Sequence, residues 1–269
     1  MITSTTNKQV KFVNSLVKKA KARREEKLFV AEGLRMCQEI PKEKLHTLYI
    51  SESFQKNKEC QELIGRANRT ELVSDEVFKV FSDTQSPQGI LALVHQYHYT
   101  LEDVAGTEKE TGQPALVMVL EHLQDPGNLG TIIRAGEGAG VTGILMDKDT
   151  ADIYNPKVIR ATMGSVLRVP FFYTEDLRSD LKALKKKGIR LYAAHLKGQR
   201  SYDQESYTGD TGFLIGNEAN GLTEETAALA DSYIRIPMLG QVESLNAAVA
   251  SSVLMFEAAR QRRNAAGSL

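Results

Sequence analysis

The sequence predicts an α/β protein with two domains, the second of which contains a mostly parallel sheet with helices on both faces. Three observations lead to this fold class. Short apolar runs alternate with segments whose apolar residues recur every three or four positions, as strands alternate with helices in α/β proteins. The chain of 269 residues is longer than one small domain needs, and a polar stretch with two glycines interrupts the alternation. We therefore predict domains at 1–100 and 114–269, joined by a linker at 101–113.

The first domain is predicted to start with a basic amphipathic helix over 7–27. Its apolar residues recur at three- and four-residue steps, and the first 27 residues contain eight lysines and arginines but only two glutamates. Because the whole chain has a net charge of zero, any attraction to nucleic acid must be local. The candidates for phosphate contacts are Lys18, Lys19, Arg23 and Arg24. The alternative is a solvated helix face, which is common for such runs of charge.

The remainder of the first domain combines both kinds of element. Strand-like runs lie at 28–33, 46–53 and 89–96. Helical periodicity between them lies at 58–67 and 75–82. This mixture predicts a small α/β domain.

The second domain shows the same alternation with more strongly apolar strands. The run at 115–120 has no polar residue, which is typical of a strand buried on both faces of a parallel sheet. Further strands are predicted at 143–147, 188–195, 212–218 and 232–238. Helices are predicted at 129–139, 176–187, 223–229 and 245–260. Ligands of such sheets bind beyond the carboxyl ends of the strands, so the segments that follow strands are the candidate functional ones.

The first such segment is 121–140, EHLQDPGNLGTIIRAGEGAG. Asn128 is predicted to cap a helix that is otherwise made of small and apolar residues. Arg134 stands out in that helix because its guanidinium could reach a ribose or a phosphate; the alternative is an ion pair with Glu137. The three glycines at 136–140 end the helix rather than joining a strand to it, so they do not fit a dinucleotide-binding fingerprint.

Two more segments follow strands later in the chain. In 213–225, FLIGNEANGLTEE, Gly216 and Gly221 would let the backbone approach a ligand closely, although a plain strand-to-helix turn is an alternative. In 234–260, Ser244 is predicted to cap a final helix whose small residues permit close approach of a cofactor or a second subunit. Simple core packing is the alternative for that helix.

Taken together and in this order, the three segments resemble the motifs of the SpoU (TrmH-like) family of RNA ribose methyltransferases, within the SPOUT superfamily. The resemblance covers about 114–262, and FVAEGLR at 29–35 resembles the family's amino-terminal substrate-binding domain. It implies a trefoil knot in the second domain and S-adenosylmethionine as the cofactor. The implied cofactor-binding residues are Leu214, Ile215, Gly216, Ile236 and Leu245. Gly221 joins them because it would let the backbone of the second segment approach a ligand closely. The implied catalytic residues are Asn128, Arg134, Glu218, Ser244 and Asn246.

The implied reaction is transfer of a methyl group to a ribose 2′-hydroxyl. The methyl group of a sulfonium is already activated, so the enzyme must mainly align the oxygen and help remove its proton, and no metal is expected. A guanidinium only donates hydrogen bonds, so we expect Arg134 to stabilise the developing alkoxide and a neighbouring phosphate. Asn128 and Glu218 are expected to orient it. Methylation of a base, or a non-catalytic RNA-binding protein with the same fold, are the alternative functions.

Expectations about partners and location complete the prediction. The substrate-binding domain resembles those of family members that act on rRNA, which favours rRNA, and 23S rRNA in particular, over tRNA. A homodimer through the carboxy-terminal domain is expected, because the three consecutive apolar residues 254–256 cannot all face one sheet; Leu254 or Met255 should lie partly in the interface. Cys37 and Cys60 form no CxxC motif, and no apolar run approaches the roughly 20 residues of a membrane span, which predicts a cytoplasmic protein without membrane contact.

Overall fold

The computed structural model describes residues 1–106 and 112–267 of the chain. Two compact units are formed: Met1–Tyr97 with Asp152–Leu167, and His98–Ala151 with Arg168–Leu269. No pattern in the sequence signalled that a segment from the second half belongs to the first unit. Among the described residues, no helix is long and apolar enough to cross a membrane.

The first unit is a four-stranded mixed sheet with helices. In chain order its helices are α1 (Lys8–Lys18), α2 (Ala20–Glu26), α3 (Leu34–Glu39), α4 (Lys58–Arg66), α5 (Asp75–Phe81) and, from the later segment, α8 (Pro156–Thr162). Its strands are β1 (Leu28–Glu32), β2 (Leu45–Ser51), β3 (Thr70–Val73) and β4 (Ile90–His95). The strand order is β1-β4-β2-β3, in which β4 runs antiparallel to both neighbours and β2 runs parallel to β3. The small α/β domain predicted from the sequence has this composition, with β3, α3 and α8 added.

The predicted helix over 7–27 is wrong in one respect, because the chain breaks at Lys19 into α1 and α2. Lys19 has extended backbone angles, so the last carbonyl groups of α1 lose the partners that a continuous helix would supply. The guanidinium of Arg23 replaces them: it donates to the carbonyls of Leu16 and Val17 at 2.6 and 3.1 Å. Arg23 also donates two hydrogen bonds to Asp152, at 2.6 and 2.9 Å.

The second unit is a seven-stranded sheet whose pairings are all parallel in the described residues. Its strands are β5 (Leu116–Leu120), β6 (Gly143–Asp147), β7 (Phe171–Thr174), β8 (Arg190–Ala194), β9 (Arg200–Ser201), β10 (Thr211–Ile215) and β11 (Ser232–Arg235). Its helices are α6 (Leu101–Ala105), α7 (Pro126–Ala139), α9 (Leu177–Lys186), α10 (Glu224–Ala227) and α11 (Ala247–Ala265). The strand order is β7-β6-β5-β10-β8-β11-β9. After β5 the chain adds β6 and β7 on one side and the later strands on the other, so the topological switch point lies between β5 and β10.

Helices cover both faces of this sheet, as predicted. Side chains alternate between the faces along each strand, and on one face Val117, Leu191 and Leu214 form a core with α6, α9 and α10. The opposite face packs against α7 and α11, which also contact each other. The apolar strands are buried because both of their faces are covered.

Part of the predicted linker is structured. Residues 101–105 form α6, whose N-cap Thr100 exchanges hydrogen bonds with Asp103 in a capping box. Leu101, Val104 and Ala105 are buried in the core of the second unit, so this stretch is a packed helix rather than a polar loop. Residues 107–111 of the predicted linker lie outside the described residues.

Two predicted helix caps are wrong. Helix α7 begins at Pro126, and its N-cap is Asp125, whose carboxylate accepts the N–H of Asn128 at 2.7 Å. Proline at the first helical position has no N–H to satisfy, which favours this earlier start. Helix α11 begins at Ala247, and its N-cap is Asn246 rather than Ser244. Asn128, the predicted cap of α7, lies just inside the helix, where its backbone N–H donates to Asp125 and its side chain donates to Glu218. Ser244, the predicted cap of α11, lies just before the observed cap and is exposed.

Candidate active site

The candidate site lies at the carboxyl edge of the parallel sheet of the second unit. Strands β8, β10 and β11 end there, and the segments that follow them line a cleft together with the start of α11. This is the edge at which parallel sheets bind ligands, and the cleft is close to the topological switch point between β5 and β10. The fold therefore places the second and third sequence segments side by side.

The cleft has a volume of about 400 Å³ and is mainly apolar. Five of the six predicted cofactor-binding residues line it: Ile215, Gly216, Gly221, Ile236 and Leu245. Leu214 does not, because its side chain is fully buried in the core shared with α9 and α10. Further apolar lining comes from Leu222, Ile234, Met238, Ala247, Ala250 and Leu254.

Gly216 occupies a position where no side chain fits. A Cβ atom built there would lie 2.1 Å from the carbonyl carbon of Gly221 and 2.2 Å from the backbone nitrogen of Leu222. Gly221 has a φ of +70°, in the left-handed region that favours glycine. Backbone N–H groups and carbonyls of Asn217 and Gly221 bond to each other in both directions, at 2.9 and 3.0 Å. The loop after β10 is thus a tight backbone turn whose exposed atoms form one wall of the cleft.

Three predicted catalytic residues form one hydrogen-bonded chain beside the cleft. The side-chain amide nitrogen of Asn128 donates to Glu218 Oε1 at 3.0 Å, and its amide oxygen accepts from Asn246 Nδ2 at 2.9 Å. The amide oxygen of Asn246 in turn accepts the N–H groups of Ala248 and Val249 at the start of α11. Each hydrogen bond among Glu218, Asn128 and Asn246 has a defined donor and acceptor. Together these bonds connect α7, the loop after β10 and α11.

Glu218 is held ionised by its hydrogen bonds. Desolvation raises the pKa of its carboxyl group, but the hydrogen bond from Asn128 and those from backbone N–H groups outweigh this, and the pKa lies below its usual value. The backbone donors are Asp125 at 3.2 Å and Gln124 at 3.4 Å. A carboxylate with several donors and a lowered pKa is a good positioning group and a poor proton acceptor.

Arg134 lies apart from this chain. It is exposed on α7, and it makes no hydrogen bond or ion pair with any residue in 1–106 or 112–267. The alternative pairing with Glu137 does not form, since Glu137 bonds to Arg168 instead. Asn128 and Glu218 make no hydrogen bond to Arg134 either, so the expectation that they orient it has no direct hydrogen bond behind it and stays a prediction. Its guanidinium points into solvent with all its donors available.

Ser244 lines the cleft but is exposed and caps no helix. It lies in the loop that leads into α11, next to Leu245. The structure thus brings together Asn128, Glu218 and Asn246 by hydrogen bonds, places Ser244 on the cleft wall, and leaves Arg134 on the outer face of α7.

A buried carboxylate that sequence reasoning missed anchors the loop after β10. Glu121, 4% exposed, follows β5 and accepts hydrogen bonds from the N–H and hydroxyl of Thr223, each at 2.8 Å, and from the hydroxyl of Thr226. These threonines begin α10, directly after the loop that lines the cleft. The available signal was an acidic residue at the carboxyl end of a wholly apolar strand.

A second missed group lies at the ends of β5 and β6. The imidazole Nε2 of His122 lies 3.1 Å from Asp147 Oδ2 and 3.3 Å from Asp149 Oδ2. Asp147 Oδ2 also accepts the backbone N–H of His122 at 2.9 Å, and its Oδ1 accepts from Thr150. The three side chains are close enough to share a cation. Within the described residues they hold the two strand ends together by hydrogen bonds.

The four basic residues predicted to contact phosphate divide into two sets. Lys18, Lys19 and Arg24 are exposed at the junction of α1 and α2. Arg23 is 3% exposed and donates four hydrogen bonds to α1 and Asp152, so its predicted place on a basic surface is wrong. Position in a run of charge did not distinguish the structural arginine from its neighbours.

Two family models match the chain. The SpoU rRNA Methylase family matches residues 115–256, which include the cleft and the chain of hydrogen-bonded residues. The MRM3-like substrate binding domain matches residues 7–92, within the first unit.

Curated relatives and a solved structure extend this likeness. A 23S rRNA (guanosine-2′-O-)-methyltransferase, RlmB, of Xanthomonas axonopodis is 36% identical over 61% of this chain and 66% of its own length. The Bacillus subtilis 23S rRNA guanosine 2′-O-methyltransferase RlmP is 30% identical over 69% of this chain and 70% of its own. The crystal structure of an AdoMet-bound rRNA methyltransferase from Sinorhizobium meliloti superposes with a TM-score of 0.84 and 31% identity, over 96% of this chain and 97% of that one.

Proposed function

The chain belongs to the SpoU rRNA methylase family, and we propose that it transfers a methyl group from S-adenosylmethionine to a ribose 2′-hydroxyl of 23S rRNA. The observation that carries this proposal is the chain of Glu218, Asn128 and Asn246 beside an apolar cleft at the carboxyl edge of the sheet. The names of the relatives support the substrate, and the AdoMet-bound neighbour supports the cofactor. A non-catalytic RNA-binding role is not favoured, because these relatives are named as enzymes.

The cleft fits S-adenosylmethionine. Its apolar side chains, among them Ile215, Ile236 and Leu245, suit the faces of an adenine ring, and the tight turn that Gly216 and Gly221 permit presents backbone atoms to a ligand. When bound, the cofactor supplies a methyl group on a positively charged sulfur. Leu214 acts from the core behind the cleft, since its side chain does not reach the wall.

The protein's own residues then have two tasks. The chain of Glu218, Asn128 and Asn246 fixes the cleft wall to α7 and α11 before substrate arrives, so that orientation requires little reorganisation. The Arg134 guanidinium, which has no partner among the described residues, is free to bind a phosphate or the developing alkoxide of the substrate. Ser244, on the cleft wall, is placed to contact substrate or cofactor.

Separate measurements of binding and turnover test the role of Arg134. Arg134→Ala should lower methyl transfer by about a hundredfold or more, in the range found for loss of one transition-state donor, and leave cofactor affinity in calorimetry unchanged. Equal losses of cofactor affinity and of activity would contradict the assignment.

The substrate class is tested on cellular RNA. Mapping of 2′-O-methyl sites with and without the protein should show a site lost from 23S rRNA and none lost from tRNA. Nuclease P1 digestion and mass spectrometry of the product should place the methyl group on ribose; a methylated base would support the alternative branch of SPOUT enzymes. Action on 23S rRNA also agrees with the predicted cytoplasmic location.

We propose that the basic surface of the first unit, formed by Lys18, Lys19 and Arg24, binds RNA. These cations are exposed in a chain without net charge, and they lie within the part matched by a substrate binding domain. Replacing all three by glutamate should weaken RNA binding and flatten its dependence on salt, with cofactor affinity unchanged. An unaltered salt dependence would support the alternative, in which these residues form an ordinary solvated helix face.

A homodimer through α11 is also proposed, with an interface that differs from the sequence prediction. Leu254 and Met255 are fully buried in their own subunit, where Met255 packs near Gly136 of α7, so neither is available. The exposed apolar residues of α11 are instead Val249 and Phe256, at 49% and 47%. They are seven positions apart and thus lie on one helix face.

This face adjoins the candidate catalytic arginine. Phe256 lies 3.7 Å from where a Cβ of Gly138 would be, and Gly138 is one helical turn from Arg134 on α7. A two-fold partner on this face would cover Phe256 and approach Arg134. Sedimentation equilibrium at micromolar concentration should give twice the chain mass of 29.8 kDa for the wild type and the monomer mass for Phe256→Glu. A wild-type monomer would refute the dimer.

The family relationship also implies the trefoil knot, which stays a prediction here.

A further inference from the structure

Helix α9 carries a row of basic side chains that the candidate site does not explain. The segment 177–187 contains five lysines and arginines and one aspartate, in a chain whose net charge is zero. Its buried face consists of Leu177, Leu181 and Leu184, which pack on the sheet. The basic residues therefore lie on the sides and the outer face of the helix.

Two of the five cations have partners within the protein. Lys185 bonds to Asp231 at 2.8 Å and to the carbonyl of Leu229 at 3.0 Å. Lys187 lies 3.7 Å from Glu102. These contacts fix α9 to α6 and to the segment after α10, so both lysines have a structural explanation.

The other three cations are exposed and have no ion pair or hydrogen bond within the described ranges of the chain: Arg178, Lys182 and Lys186. They are four residues apart, so each is about 6 Å further along the axis and about 40° further around it. The one acidic residue of the helix, Asp180, is at least about 120° around from each of them at 100° per residue. We call these three residues the α9 row.

The direction of α9 relates this row to the candidate site. The helix follows β7 at the carboxyl edge of the sheet and leads to the start of β8 at the opposite edge. Arg178 is thus nearest to the edge that holds the cleft, and the row runs away from that edge over about 12 Å. The row is also on the face of the sheet opposite α11, so the proposed dimer would leave it uncovered.

We propose that the α9 row is a second RNA contact, which binds successive phosphates of the strand that flanks the methylated nucleotide. This inference rests on the proposed function, because it needs RNA at the carboxyl edge of the sheet. A row of unpaired cations, one per helical turn, complements the regular negative charge of a sugar–phosphate backbone. Such contacts position a strand and do not read its sequence. The catalytic unit would then hold its substrate itself, in addition to any contact made by the first unit.

The test is the salt dependence of binding to a 20-nucleotide oligouridylate, a probe for the sequence-independent contact. The variant is Arg178→Gln, Lys182→Gln, Lys186→Gln. The matched control removes the same charge from three exposed lysines of the first unit that lie outside its basic surface and have no ion pair in the described part of the chain, with Lys56→Gln, Lys58→Gln, Lys79→Gln. Three lost phosphate contacts should make the slope of log K against log salt shallower by about 2 in the variant, at roughly 0.7 per contact for a single strand. The control should keep the wild-type slope.

Two further measurements separate the possible failures. The exchanged variant Arg178→Lys, Lys182→Arg, Lys186→Arg keeps the charges and should keep the slope, and a wild-type melting temperature of the glutamine variant excludes a folding defect as the cause of a loss. An unchanged slope in the glutamine variant, or an equal change in the control, would overturn the α9 row. Failure to methylate any RNA would instead overturn the proposed function, and the oligouridylate result would still stand on its own.

Discussion

The hydrogen bonds of Glu121 predict how firmly the cleft wall is fixed. Glu121→Leu keeps the size of the side chain but leaves the buried hydroxyl of Thr226 and the N–H of Thr223 without their acceptor. An unsatisfied buried polar group costs about 1–3 kcal/mol and a more solvated one less, which gives about 2–4 kcal/mol in total. Glu121→Gln should cost about 1 kcal/mol, because one amide oxygen still accepts from Thr223 and hydroxyls can rotate to accept from the amide.

Thermal melting and calorimetry measure the two consequences. For a unit of this size the leucine variant should melt roughly 5–15 °C below the wild type, and the glutamine variant no more than about 4 °C below. Because Thr223 ends the loop that lines the cleft, the leucine variant should also bind S-adenosylmethionine about tenfold more weakly, the equivalent of 1.4 kcal/mol. Wild-type cofactor affinity in the leucine variant would refute the anchoring role, and equal melting of both variants would refute the hydrogen-bond argument.

Three other perturbations give distinct outcomes. Arg23→Ala should destabilise the first unit by about 2–4 kcal/mol in denaturant unfolding, since it leaves half-buried Asp152 and two carbonyls without this donor, while Arg24→Ala, at an exposed neighbour, should change little. Because the pKa of Glu218 is lowered, its ionised form contributes stability that is complete above the ordinary pKa of 4.5 and is lost as the pH falls through the folded-state pKa. The difference in melting temperature between wild type and Glu218→Gln should therefore shrink in acid. A difference that does not change with pH would contradict this. Arg262→Met should lower the melting temperature of the second unit by several degrees, because the guanidinium donates to the carbonyls of residues 114, 115, 207 and 209, and an unchanged temperature would show that water replaces it.

The parallel sheet could be predicted because its strands are apolar throughout. The run at 115–120 and the strand at 143–147 needed no knowledge of neighbours, since burial on both faces leaves a continuous signal. Strand β9 and helix α8 are short and carry no such period, and they were missed. The break at Lys19 was also invisible, because the residues on both sides continue the amphipathic pattern and Arg23, which bonds across the break, has a distant carboxylate, Asp152, as its partner.

The site could be predicted in outline and not in its contacts. The resemblance supplied Asn128, Glu218 and Asn246 together, and the structure joins them by hydrogen bonds. Their partners are set by tertiary packing between residues about 90 and 118 positions apart, which no local pattern encodes. Arg134 was expected to act with them because the resemblance placed it among the same catalytic residues, whereas six residues of helix turn its side chain to a different face of α7 from that of Asn128.

The noncontiguous make-up of the first unit sets an order on its completion during synthesis. Residues 1–97 leave the ribosome before the segment 152–167 exists, so Arg23 at first has no carboxylate partner. At about 5–20 residues per second, the intervening 55 or so residues take roughly 3–11 seconds to make. During that interval β5, α7 and β6 are synthesised, and the first unit remains incomplete until residues 152–167 pack against its amino-terminal part.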